Sequence, residues 1–87
     1  MNELAAFRAQ IAEADRALLA AINKRIELVR ALHEYKQAEG IPIRDEGREE
    51  QLVVELQCAN KGPLSPAGVA QLFRFVLDLT RREIHGA

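Results

Sequence analysis

Cysteine occurs once in this chain, at Cys58, so no intrachain disulfide is possible. Two histidines far apart in sequence, His33 and His85, together with that one thiol give no recognisable metal-ligand spacing. Neither a metal nor a cofactor is expected. No apolar run reaches the length of a membrane span, and Met1-Asn2-Glu3 is not a basic start followed by an apolar stretch. The expectation is a cytoplasmic protein with no membrane partner. Charge of one sign is missing too: 12 Lys and Arg against 13 Asp and Glu give a formal net charge of −1. Without a global basic field no nucleic-acid partner is expected, and each cation needs a local reason. No segment alternates as a strand does, and there is no repeat or low-complexity tract.

What is present is helical. At 87 residues, 48% hydrophobic and 29% charged, the chain is one small domain, 1–87. From Leu4 to Glu39 there is no Gly or Pro, and Leu4, Phe7, Ile11, Ala14, Leu18, Ile22, Val29 and Leu32 recur at steps of three and four. One long helix follows, about 54 Å in length at 1.5 Å per residue. A compact globule of this size is only about 30 Å across. The helix outruns any monomer core, and with no Gly or Pro to bend it a second copy is expected to cover the overhang. The fold class is therefore all-α, three helices in a homodimer.

Gly40 suits a left-handed helix end, and Pro42 disfavours helix at Ile41. Asp45 can cap a second helix over 46–59, with Leu52, Val53 and Leu56 facing inward and Gly47 weakening its first turn. Asn60-Lys61-Gly62-Pro63 breaks the chain, after which Ser65 as N-cap and Pro66 at the first position start a third helix. Its expected inner face is Val69, Leu72, Phe73, Val76 and Thr80, while Phe75 and Leu77 point elsewhere.

Cations interrupt the apolar stripe of the first helix. Arg25, Val29, Leu32 and Lys36 share one face over three turns, about 16 Å, placing a cation at each end of an apolar floor. That row suits a small ligand with an apolar body and negative groups, gripped bidentately by the Arg and as a point charge by the Lys. Arg8 lies about 25 Å from Arg25 along the axis and could reach a shared ligand only from the other subunit of an antiparallel pair. Each cation also has a plainer reading: Lys and Arg snorkel from the edges of buried stripes, and Lys36 near a helix C-terminus complements its dipole. Asp15 reads as structural. A second cluster, Arg44-Asp45-x-x-Arg48-Glu49, places Asp45, Arg48 and Glu49 on one face at a helix N-terminus, which favours an anion. An N-cap with exposed ion pairs explains the same residues.

Taken together, Arg8-x-x-Ile11-x-x-x-Asp15-x-x-Leu18-Leu19, then Arg25, Lys36 and Arg44-Asp45-x-x-Arg48-Glu49, resembles the all-helical AroQ class of chorismate mutases. The likeness runs without a gap from about Leu4 to Leu56 and more loosely to Thr80. It implies an intertwined three-helix homodimer with two sites, each receiving an Arg from the other chain, and a small dicarboxylate substrate, chorismate. Rearrangement of chorismate to prephenate, in aromatic amino acid biosynthesis, is unimolecular and needs no nucleophile or metal. By resemblance Arg25 and the second chain's Arg8 hold the carboxylates, and Lys36 donates to the ether oxygen. Glu49 and the Asp45 region bind the ring hydroxyl, Arg48 orders the site, and Thr80 replaces a Ser near a carboxylate.

One position departs from the family. Where a Gln usually stands as second donor to the ether oxygen, this chain has Ile84, with Glu83 beside it. Isoleucine cannot donate, and Glu83 can do so only as the protonated acid. Three outcomes stay open: a weak enzyme, recruitment of Glu83 by a local shift, or reorganisation of the last helix by a partner shikimate-pathway enzyme. Two other functions also fit the sequence. The same scaffold serves isochorismate pyruvate lyases and mutases of amino-substituted chorismate, and a non-catalytic helical dimer could regulate a partner enzyme.

Overall fold

The computed structural model describes residues 2–43 and 45–85, excepting the Glu46 side chain. Among the described residues the regular structure is three α-helices: α1, Glu3–Glu39; α2, Glu46–Ala59; and α3, Pro66–His85. α1 starts one residue earlier than its apolar periodicity suggests, because Asn2 is extended and its side chain accepts the Ala5 N–H at 3.2 Å. It ends as expected at Gly40, which adopts φ 69°, so that the Ile41 N–H can close on the Lys36 carbonyl at 2.8 Å.

The other helix ends are equally local. Asp45 accepts the Arg48 N–H at 3.1 Å to open α2, and Ser65 accepts the Gly68 N–H at 3.0 Å to open α3. Between them Asn60 braces the turn, donating to the Leu64 carbonyl and accepting the Gly62 N–H. These caps satisfy backbone groups that the helices cannot pair internally.

α3 is the hub, since α1 and α2 each pack against it and not against one another. The buried core is Val53 from α2 with Val69, Ala70, Val76 and Thr80 from α3. Leu52 and Leu56 are half-buried, as is Phe73. Leu72, expected on the inner face of α3, is instead 40% exposed. The buried stripe is rotated toward Ala70 and Leu77, which puts Leu72 at its edge.

No residue of α1 is buried, and Leu4, Phe7, Ile11 and Leu18 are all more than half exposed. The radius of gyration is 16.4 Å, against about 12 Å for a compact chain of this length. The accessible surface is 6920 Å², roughly a third above the ~5,100 Å² of a compact monomer of 9.7 kDa. The apolar stripe of α1 is thus uncovered along the chain's longest helix.

Candidate active site

Because α1 and α2 meet only through α3, a gap remains between them. It is a cleft of about 380 Å³, floored by Val29, Leu32, Ile43, Leu52 and Leu77. Its polar rim comes from all three helices: Arg25 and Lys36 on α1, Arg48 and Glu49 on α2 with Asp45 at its cap, and Arg81 on α3.

Arg25 is held from beneath. Its Nη1 donates to Thr80 Oγ1 at 2.9 Å, and the Thr80 hydroxyl donates in turn to the Val76 carbonyl at 2.7 Å. The threonine's single proton is thereby committed, so toward Arg25 it is an acceptor only. Burial lowers the Arg25 pKa from its ordinary value while the charge of Glu49 opposes the shift, and the guanidinium stays cationic at neutral pH. At the other end of the floor Lys36 Nζ donates to the Ile43 carbonyl at 3.2 Å. An ammonium has three donors, so this bond steadies Lys36 without exhausting it.

Asp45 faces the cleft while capping α2, which joins the two sequence readings of that cluster. Arg48 lies on the rim, its Nη1 directed to Glu55 at 3.3 Å and Gln51 at 3.5 Å. Both side chains of the Arg48–Glu55 pair are more than half exposed, so the pair contributes little to stability. Glu49 is bonded by Arg81, which also pairs with Asp78 one turn earlier on α3.

Several site residues are brought together as the sequence suggests: Arg25, Lys36, Asp45, Arg48 and Glu49 share the cleft, with Thr80 directly under Arg25. Arg8 is exposed, far along α1, and does not line it. Glu83 is exposed and lines no part of it, whereas Ile84 helps wall a smaller cavity of about 70 Å³ with Arg25, Thr80 and Arg81. Arg44 lies outside the described residues. Thr80 meets the Arg25 guanidinium directly.

Sequence reasoning missed Arg81, His33 and His85. Arg81 stands 32 residues from Glu49; the available signal was its position next to Thr80 at the edge of the inner stripe. The histidines, distant in sequence, stack with ring centroids 5.6 Å apart and both line the cleft. Burial chiefly, and then His85 and Lys36, lower the His33 pKa, which favours the neutral ring. Among the described residues no group of three or more His, Cys, Asp or Glu side chains is placed to hold a metal ion.

Four cations face two carboxylates across an apolar floor, an excess of two positive charges among the described lining residues. Fold and cleft define an all-helical protein whose cleft charge suits a compact dianion. A family model described as chorismate mutase type II matches residues 7–84, and the chain belongs to that family. Its activity is the isomerisation of chorismate to prephenate, a step in aromatic amino acid biosynthesis. Two solved structures share the fold: the chorismate mutase of Thermus thermophilus in form I and in form II, each 24% identical with a TM-score of 0.86. Form I is covered over 99% of its length by 91% of this chain, and form II over 91% by 92%. No curated protein matches.

Proposed function

We propose that two copies of this chain form a homodimer with two identical clefts, each completed by Arg8 of the partner subunit. The observation that carries the reading is the cleft itself, with its excess of two positive charges over an apolar floor, matched to a substrate with two carboxylates on a compact carbon skeleton. Arg25 and Arg8 of the partner subunit hold the carboxylates and fold the enolpyruvyl side chain over the ring, so that the carbons to be joined meet as a near-attack conformer. Lys36 donates to the ether oxygen, where negative charge grows as the C–O bond breaks. Glu49 and Asp45 bind the ring hydroxyl, and Arg48 orders the rim. Thr80 acts through Arg25, fixing its fork. No proton or electron enters or leaves in this rearrangement, so donors and shape are all that the protein must supply.

The uncovered stripe of α1 supports the dimer, since a copy laid antiparallel would bury Leu4, Phe7, Ile11 and Leu18 and carry its Arg8 toward the Arg25 end of the neighbouring cleft. The proposed location is the cytoplasm; among the described residues no helix is long and apolar enough to cross a membrane.

Purified protein incubated separately with chorismate, isochorismate and aminodeoxychorismate tests the substrate. Prephenate from chorismate is expected as the dominant product. Pyruvate released from isochorismate, or faster turnover of the amino compound, would replace this reading.

A further inference from the structure

We propose that Arg81 is a catalytic residue, the second hydrogen-bond donor to the breaking ether oxygen. The inference rests on the mutase reading above. A C–O bond that breaks ahead of C–C bond formation leaves negative charge on the oxygen, and donors aimed at that atom lower the barrier. Lys36 is one such donor, and one of its N–H groups already serves the Ile43 carbonyl. On the α3 wall, Ile84 has nothing to donate, and Thr80 has given its proton to Val76. Arg81 is the cation that α3 turns into the cleft.

Its placement fits that task. Arg81 lines both the cleft and the smaller cavity that it shares with Arg25 and Ile84. Its side chain is 30% exposed, so it is partly desolvated but reachable. Glu49 and Asp78 hold it from two sides, one on α2 and one on its own helix. A guanidinium carries five N–H donors in a rigid fork, so two carboxylates orient Arg81 without using it up. A clamp between helices would explain the pairing alone, but partly exposed ion pairs add little to stability. The step stays balanced, since the C–O bond breaks, the C–C bond forms, the oxygen becomes the ketone of prephenate, and Arg81 keeps all its protons.

The test compares wild type, Arg81→Met, Arg81→Ala and the double variant Arg81→Met/Ile84→Gln on chorismate. Turnover by the wild type is measured first and carries the mutase reading independently of Arg81. A donor that acts only in the transition state moves kcat, so Arg81→Met should lose about 10²-fold in kcat with KM nearly unchanged. Guanidinium ion in the buffer should restore part of that loss, and a Gln at position 84 should restore more. A wild-type kcat in Arg81→Met, or a loss confined to KM, overturns the assignment. If Arg81→Met loses helicity by circular dichroism, Arg81→Ala decides, because alanine suits a helix and has nothing to donate: reduced kcat at an unchanged melting temperature supports the donor, and wild-type kcat refutes it.

Discussion

Arg25 announces itself in the sequence because it breaks a pattern: a cation at a step of the α1 stripe between Ile22 and Val29 demands a partner. Thr80 Oγ1 is that partner, 55 residues away. Arg81 breaks no pattern, and its role follows only from the packing of α3 against α2. His33 is equally hidden, since pairing with His85 depends on where two helices end in space. It carries a pH prediction. Burial, His85 and Lys36 hold its folded-state pKa below the unfolded value of about 6.5, so between those values the unfolded chain binds more protons. The stability from keeping His33 neutral is fully present above about pH 6.5 and is lost as pH falls toward the lowered value. Thermal midpoints of the ligand-free protein should therefore drop from pH 7 to about pH 5, and His33→Gln should flatten that fall. An equally steep fall in His33→Gln would show that the dependence arises elsewhere.

Helix ends are the most legible elements, because a cap is a local contract between one side chain and one or two backbone groups. Asp45, Ser65 and Gly40 all sit where turn chemistry places them. Legibility fails where a boundary or face depends on neighbours: periodicity points Leu72 inward, and the packing of α3 between two helices rotates the stripe away from it. The cleft itself is invisible at this scale, since it exists only because α1 and α2 do not touch. Gly40 connects helix end and site, for the link it starts brings the Ile43 carbonyl back to Lys36. A Cβ at Gly40 would meet no atom within 4 Å, so Gly40→Ala isolates the backbone cost of its φ of 69°. Urea unfolding at fixed protein concentration should read a loss of about 1–2 kcal/mol. No loss would mean that the helix end relaxes into another conformation.

At the scale of the molecule, one chain leaves its packing unfinished. With five buried residues among those described, the chain keeps a stripe of leucine, isoleucine and phenylalanine on α1 exposed and a surface a third above that of a compact monomer, as the proposed homodimer requires. The excess area, over ~1,500 Å² per chain by that comparison, exceeds the ~800 Å² per partner of an ordinary stable interface. The overhang is foreseeable from helix length alone, whereas the position of the second subunit's Arg8 follows only if the two α1 helices run antiparallel. That makes Arg8 the residue through which architecture and catalysis are tested together. Arg8→Ala and Arg25→Ala chains should each be inactive on chorismate as homodimers. Mixed under conditions of verified subunit exchange, they form heterodimers in which one cleft has lost both arginines and the other has both. Activity should then return toward about a quarter of the wild-type level in an equal mixture, half the dimers being mixed with one sound site each. A mixture as inactive as its parents, with exchange demonstrated, contradicts the shared site.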